Sequence, residues 1–407
     1  MKIAVIGVKE IPSNQGEIER YCQEFYPRIA ARGHQVDLFV QSEPDRQPWF
    51  SVGYYYNVRV IALSTLPKHK NGLMLNSAIG TVLAGLGGYD IIHIHGTTAA
   101  WFSWFPQLFS SSKIVVTAHQ LDTSNTSTGW RKAFSWLLAW IEKTAIENAD
   151  EVIVVSKALG DYYQQKYNIH PRYIPSAPVS PEQADLDLKF SNAKRLAPEA
   201  TSDDPFSYGT SLGLESQKYI LCLGELNYRN RLDLLLKAFQ KLNPDDWKLV
   251  LAGEIGNSMQ YAIELLGLAK DNQNIIFINE LRGKHLTEIV NSAGLLVVPG
   301  DGTDLGLPLT VLEAMQEEVP VLANDSQIYR ELMGKNRGLL YDSENLDSLT
   351  EKLRYVLDET SELSAMVHDA RAYIAVYHNW DRVTYGNLSL YLKITEQIDS
   401  SSIQPNV

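Results

Sequence analysis

Cysteine, excess positive charge and long apolar runs are what this sequence has least of. Its 407 residues hold two cysteines, Cys22 and Cys222. Two thiols make no disulfide framework, and they read as small buried hydrophobes of a chain kept in a reducing compartment. Asp and Glu outnumber Lys and Arg by 48 to 36, for a formal net charge of −12, which argues against nucleic acid or anionic lipid as a partner held by bulk electrostatics. No apolar run approaches the ~20 residues that span a bilayer. The opening MKIAVIG runs directly into a strand and then polar residues, without the pattern of a secretory leader. The expectation is a cytoplasmic protein, with peripheral contact at the inner face of a membrane left open and the oligomeric state unspecified.

What is present is an alternation of short apolar runs and helical stretches, in a chain with 45% hydrophobic content and length enough for more than one core. Lys2–Gly7 reads as a strand, Val8–Gly16 as a loop, Glu17–Arg32 as a helix ended by Gly33 and His34, and Gln35–Val40 as the next strand. This is a βαβ unit whose loop lies at the carboxyl end of its first strand, the usual ligand position in open parallel sheets. Strands at Asn57–Ala62, Asp90–His93, Lys113–Thr117, Glu151–Val155 and Arg172–Ile174 complete a doubly wound domain over 1–180. Residues 181–217, rich in Pro, Ser, Asp and Gly, read as a linker. A second series follows, with strands at Lys218–Leu223, Lys248–Ala252, Asn274–Ile278, Leu295–Val298, Val319–Ala323 and Leu339–Tyr341. The second doubly wound domain covers 218–380, and a helix from about Asp381, within 381–407, is expected to cross the domain junction.

The stretch PGDGTDLGLPLTVLEAMQEEVP, Pro299–Pro320, stands out within that series. Gly300, Gly302 and Gly306 punctuate the loop after an apolar strand, and helical spacing begins at Leu307, with Leu309 and Leu312 on one side and Glu313 on another. A glycine-rich turn between a parallel strand and a helix N-terminus is where phosphates bind in α/β proteins. Elsewhere, Trp101, Phe102, Trp104, Phe105 and Phe109 read as a core face in preference to an acceptor groove. The helix Gly129–Asn148, with Trp130, Phe134, Trp136 and Trp140 beside Arg131, Lys132 and Lys143, reads as a packed amphipathic helix in preference to a membrane contact. Glu142 and Glu147 are expected on its solvated face. His93 and His95 alternate on a strand and are expected to pack structurally. With no cysteine or carboxylate at ligand spacing, they are not metal ligands, and no metal or other cofactor is expected.

Four segments in order resemble the family 4 glycosyltransferases of the GT-B fold. MKIAVIGVKEIPSNQGEIERYCQEFYPRIAARGHQV is similar to that family's opening strand, glycine loop and helix, and YILCLGELNYRNRLDLLLKAF to the first strand and helix of its nucleotide domain. LGLPLTVLEAM followed by PVLAND resembles its donor-site signature, and YHNWDRV its final helix. The resemblance implies two Rossmann-like domains facing across a cleft and a retaining, metal-independent enzyme. Such an enzyme moves a sugar from a nucleotide diphosphate sugar to a saccharide or lipid-linked acceptor of polysaccharide or glycolipid assembly. It also implies site residues. His119 and Asp304 fall where the catalytic groups would stand, His119 to contact the donor sugar or assist the acceptor hydroxyl. Gly16, Gly224, Arg229, Arg231, Gly306, Leu309, Thr310 and Glu313 fall where the nucleotide-sugar is held, with Glu313 on the ribose.

The sequence departs from the family pattern at four positions. Leu305 stands where the family places the first of two glutamates, with Asp304 one residue away. Glu225 and Asn230 stand in place of an arginine and a lysine that bind the diphosphate, and Glu17 in place of the second of two glycines. Two lost charge-assisted hydrogen bonds are worth roughly 3 to 6 kcal/mol together, on the order of a hundredfold to ten-thousandfold in affinity. A carboxylate about 4 Å from a phosphate, at an effective dielectric of about 20, adds roughly 4 kcal/mol of repulsion. The alternative to an active transferase is therefore a catalytically degenerate homologue acting as a binding or partner subunit. A GT-B sugar-nucleotide epimerase keeps the architecture but has no residue in its favour.

Overall fold

The computed structural model describes residues 1–13, 16–42, 50–64, 72–121, 131–179, 205–255, 259–270, 272–279, 281, 283–303, 305–358 and 361–401. The chain forms two compact units, the first made of Met1–Ala177, Leu305–Leu307 and Asn379–Val407, the second of Pro178–Asp304 and Pro308–His378.

The first unit is built on eight strands: β1 (Lys2–Val8), β2 (Gln35–Ser42), β3 (Phe50–Tyr55), β4 (Val58–Ser64), β5 (Ile91–His95), β6 (Lys113–Ala118), β7 (Glu151–Val154) and β8 (Arg172–Tyr173). Their order is β3-β4-β2-β1-β5-β6-β7-β8, parallel throughout except for the antiparallel β3–β4 pair. β1 is central and apolar on both faces, as a strand covered by helices on each side must be. Ile3 and Val5 join one cluster with Tyr21, Phe25 and Tyr26, while Ala4 and Ile6 join another with Phe39, Ala84 and Ala100. That is the period-two alternation of a strand carrying two cores. The helices are α1 (Glu17–Ala31), α2 (Gly72–Leu86), α3 (Arg131–Glu147) and α4 (Lys157–Tyr167), with short 3-10 turns at Ala99–Phe102 and Pro106–Leu108.

The second unit has β9 (Tyr219–Leu223), β10 (Lys248–Ala252), β11 (Ile275–Ile278), β12 (Leu295–Val298), β13 (Val321–Asn324) and β14 (Leu339–Tyr341), in the all-parallel order β11-β10-β9-β12-β13-β14. Its helices are α5 (Ser207–Ser211), α6 (Leu232–Leu242), α7 (Met259–Ala269), α8 (Gly283–Asn291), α9 (Leu309–Gln316), α10 (Gln327–Met333), α11 (Leu346–Asp358) and α12 (Ser361–Tyr377). Leu232, Leu235, Leu236 and Phe239 recur at helical spacing along α6 and carry its packing into the core. The last helix, α13 (Trp380–Ser401), belongs to the first unit. There Val383, Asn387, Leu390, Tyr391 and Ile394 form its buried face.

Three readings of the sequence need correction. The edge strand β3 is absent from the sequence reading: Phe50, Val52 and Tyr54 are solvent-exposed and only Tyr55 at its end is buried, so it shows no apolar alternation. The aromatic run after β5 is not a core face, since Trp104 and Phe109 are exposed. Glu142 is not on a solvated face. Its carboxylate is buried and accepts hydrogen bonds from Tyr162, Tyr163 and Tyr167 at 3.3, 3.2 and 2.6 Å and from Lys166 Nζ at 2.7 Å. Glu147 is exposed and paired with Lys143.

Candidate functional site

Each sheet has a point where the strand order reverses direction, and a crevice opens there beyond the carboxyl ends of the strands. In the first unit that point lies between β1 and β5. The two strands approach so closely that a Cβ on Gly7, at φ +92°, would stand 2.1 Å from the carbonyl oxygen of His95, so only glycine fits. Gly16, exposed at the N-cap of α1, has φ +83°. The loop is not an empty anion cradle. Glu19, in the first turn of α1, is buried, accepts the Lys9 N–H at 3.0 Å, and fills the space beside Gly16. Burial pushes its carboxyl above the usual range. Glu17, flagged by the sequence, is half-buried at the start of the same helix.

His119 follows β6 and is buried. It stands at the end of a chain of side chains: its Nε2 lies 2.9 Å from His95 Nδ1, and His95 Nε2 lies 2.6 Å from the Tyr26 hydroxyl. The same hydroxyl is 2.9 Å from His93 Nδ1, which also meets the Tyr391 hydroxyl at 2.5 Å, and His93 Nε2 is 2.7 Å from Thr117 Oγ1. Burial pulls His93 and His119 down to about 3, and pulls His95 well below the usual range with help from its two neighbouring rings. All three are neutral near pH 7. The sequence marked His93 and His95 as a structural pair on one strand and His119 apart from them; Tyr26 and Tyr391, distant in the chain, carried no signal of their own. Cys22 and Cys222 are both buried, and burial pushes both thiols up. Among the described residues no three His, Cys, Asp or Glu side chains come together as a metal site.

In the second unit the reversal lies between β9 and β12. Gly224 ends β9 at φ +148°, and its carbonyl leaves no room for a Cβ on Gly253. Glu225 and Asn230 are absorbed by the next turn. Asn230 Nδ2 donates to the Glu225 carbonyl at 2.6 Å, and Glu225 Oε2 accepts from Asn227 Nδ2 at 2.9 Å. The two arginines nearby are both engaged. Arg229 donates to Thr303 Oγ1 at 2.6 Å and faces Asp301 at 3.4 Å, while Arg231 stands 3.5 Å from both Asp233 and Glu344. Hydrogen bonds from Thr303 and the Arg229 charge hold Asp301 below the usual carboxylate range, against the opposing effect of its partial burial. These contacts join the loop after β9 to the loop after β12, where Asp301 N–H also donates to the Arg229 carbonyl at 2.9 Å.

The loop after β12 delivers α9 with Pro308 at its N-cap and no side chain capping its first turn. Leu309 is buried, Thr310 and Glu313 half-buried. Asn324 Oδ1 and Ser326 Oγ, buried near Gly302, make no hydrogen bond among the described residues; Asn324 falls in the PVLAND segment of the resemblance, and neither is named there as a site residue. Thus Gly224, Arg229 and Arg231 gather at the end of β9, and Leu309, Thr310 and Glu313 line the start of α9. Gly306 groups with the first unit, and Asp304 lies outside the described residues. Beside Arg231 a cavity of about 650 Å³ is lined by Tyr228, Asp233, Lys237, Tyr261 and Glu264, its charges balanced.

Two doubly wound units of this kind define the GT-B architecture. Residues 210–373 match the family model described as glycosyl transferases group 1, and residues 18–177 match the model of glycosyltransferase family 4. The chain belongs to the family 4 glycosyltransferases. It is 29% identical over 200 residues to a GDP-mannose-dependent monoacylated alpha-(1-6)-phosphatidylinositol monomannoside mannosyltransferase of Corynebacterium glutamicum, a match covering 47% of this chain and only 51% of that one. It is 22% identical to spore coat protein SA of Bacillus subtilis, over 97% of this chain and all of that one. Among solved structures it is similar to sucrose-phosphate synthase from Thermosynechococcus elongatus, with TM-score 0.76, 18% identity and coverage of 97% and 99% of the two chains.

Proposed function

We propose that this protein transfers a sugar, with retention, from a nucleotide diphosphate sugar to a saccharide or lipid-linked acceptor. The observation that carries the reading is the uncapped N-terminus of α9 at the reversal point of the second sheet, with Glu313 one turn inside the helix. The positive dipole end of a helix with no side-chain cap suits a diphosphate, and a carboxylate one turn on suits the paired hydroxyls of a ribose. Arg229 and Arg231 are the cations for the phosphates, which requires them to exchange Asp301, Asp233 and Glu344 for the ligand. His119, and Asp304 by its place in the sequence, are the groups assigned to the transferred sugar and the acceptor hydroxyl. Family membership and the donor named for the Corynebacterium relative support the same class.

Peripheral membrane contact is part of this reading. In the first unit Leu75, Ile79, Leu83 and Leu86 form an exposed stripe on α2, and Trp104, Leu108 and Phe109 and then Trp136 and Trp140 are exposed on the segments that pack near it. Aromatic and aliphatic side chains in such a band suit the interface of a bilayer that presents a lipid-linked acceptor. No helix among the described residues is long and apolar enough to cross a membrane.

A second reading, a degenerate homologue acting as a binding or partner subunit, draws on the engaged arginines, on Glu19 in the first turn of α1 beside Gly16, and on a full-length relative named as a coat protein. Titration with uridine, guanosine and adenosine diphosphates and their sugars, followed by thermal stability, separates the two. A shift at millimolar ligand or below, abolished in Glu313→Ala, is expected of the transferase. Flat responses to every nucleotide leave the partner subunit.

A further inference from the structure

The three buried histidines of the first unit are joined in a way that couples the proton positions on their rings. A neutral imidazole carries one N–H and one bare nitrogen, so a ring with a hydrogen-bond partner on each side can donate to only one of them. His95 is such a ring, with His119 Nε2 at 2.9 Å from its Nδ1 and the Tyr26 hydroxyl at 2.6 Å from its Nε2. Two arrangements satisfy both contacts. In one, His119 Nε2–H donates to His95 Nδ1, His95 Nε2–H donates to the Tyr26 oxygen, and Tyr26 gives its hydrogen to His93 Nδ1, 2.9 Å away. The outer nitrogen of His119, Nδ1, is then a bare acceptor. In the other, His93 carries its hydrogen on Nδ1 instead of Nε2 and donates it to the Tyr26 oxygen, the Tyr26 hydroxyl donates to His95 Nε2, His95 Nδ1–H donates to His119 Nε2, and His119 Nδ1 carries the hydrogen as a donor. The number of protons is the same in both, and every ring stays neutral.

We propose that Tyr26 is a positioning residue that, acting through His95, sets which tautomer His119 presents, and with it whether its outer nitrogen accepts or donates a proton. A base for an acceptor hydroxyl needs the bare nitrogen; a donor to a sugar oxygen needs the N–H. The inference rests on the reading of His119 as part of the transfer site only for its consequence in turnover. The coupling itself is a property of the folded protein without ligand. Tyr391, on α13, meets His93 and Tyr26 and not His95, so its effect on His119 passes through Tyr26 and is the weaker of the two.

The test is 15N spectroscopy of the histidine rings in the full chain labelled at histidine, with no nucleotide present and with His119→Gln for assignment. Wild-type His119 is expected to show one fixed tautomer, and Tyr26→Phe to convert that signature to a mixture or to the other tautomer. In turnover, kcat is expected to fall about tenfold with donor KM unchanged, less than the roughly hundredfold or more that a proton-transferring group itself contributes, because Tyr26 acts through another residue. An unaltered His119 signature in a folded Tyr26→Phe protein overturns the proposal. Should that variant not fold, the wild type still decides: a 15N–15N coupling across the His95–His119 hydrogen bond and a slowly exchanging Tyr26 hydroxyl proton close to the His95 ring are both required, and the loss of either overturns it. If the ring signature shifts but no sugar is transferred by any protein, the relay stands and the transferase reading falls.

Discussion

Asn230 and Glu225 occupy positions where a diphosphate would be gripped by cations, yet the structure uses both for the turn itself, through the Asn230 Nδ2 bond to the Glu225 carbonyl. Converting the pair by Glu225→Arg with Asn230→Lys removes one carboxylate and adds two cations beside the N-terminus of α6. Nucleoside diphosphate binding is expected to tighten by about tenfold or more, since each charge-assisted bond contributes roughly 1.5 to 3 kcal/mol less the loss of the turn bond. Calorimetric titration of the double variant reads it, and no gain would move the phosphate site away from the end of β9. Glu142 is a residue whose position the sequence did not reveal. It falls among exposed tryptophans on α3, but its side chain is met by Tyr162, Tyr163, Lys166 and Tyr167 from α4, and such long-range partners leave no periodic trace. Glu142→Ala leaves three phenols and an ammonium without their acceptor. Removing one member of a buried pair costs about 3 to 5 kcal/mol, and because the Lys166 side chain is 33% exposed the expected loss is nearer 2 kcal/mol. Urea unfolding checks it.

At the scale of elements, most of the two sheets was legible because their strands are apolar on both faces and bounded by turn residues. Lys248–Ala252, Leu295–Val298 and Leu339–Tyr341 coincide with the observed β10, β12 and β14. β3 escaped because it pairs antiparallel at an edge and exposes Phe50, Val52 and Tyr54, burying only Tyr55 at its end. The aromatic segments after β5 and on α3 misled for a related reason: helical spacing shows that apolar residues share a face but not whether anything covers it. Here Trp136 is 70% exposed and Trp140 50%. On the membrane-contact reading, Trp136→Ser with Trp140→Ser weakens association with phospholipid vesicles several-fold in a flotation assay, at a burial worth of about 25 cal/mol per Å². Thermal stability should hardly change, because neither ring is buried. Equal flotation of variant and wild type would assign that face to something other than lipid.

For the molecule as a whole, the candidate donor site was readable as a pattern of residue types, but its state of engagement was not. Arg229 with Asp301, Arg231 with Glu344 and the three-ring network are all set by tertiary contact. That network gives the chain a pH dependence with a definite sign. His93 and His119 fall to about 3 in the folded protein and His95 falls too, whereas an unfolded histidine titrates near 6.5. Below pH 6.5 the unfolded chain therefore binds protons that the folded chain refuses, so stability is complete above that value and is lost as pH falls toward 3. Each ring contributes up to about 1.4 kcal/mol per pH unit inside the window. His34, lowered by partial burial and the nearby N-terminal ammonium, acts in the same direction. Glu19, raised by burial, acts in the opposite one and recovers stability as its carboxyl takes up a proton. One group against four leaves the net loss toward acid. The carboxylates held low by their partners, Asp233, Asp301 and Asp325, add to that loss only below about pH 4, the usual range of an aspartate. All three rings lie in the first unit, so scanning calorimetry between pH 7.5 and 5 should lower the unfolding temperature of that unit and leave the second nearly fixed. His119→Gln, which removes one titrating ring, should flatten the dependence by about a third. A midpoint independent of pH across that interval would mean that the rings are hydrated and free to protonate, and that the neutral network around His119 does not hold in solution.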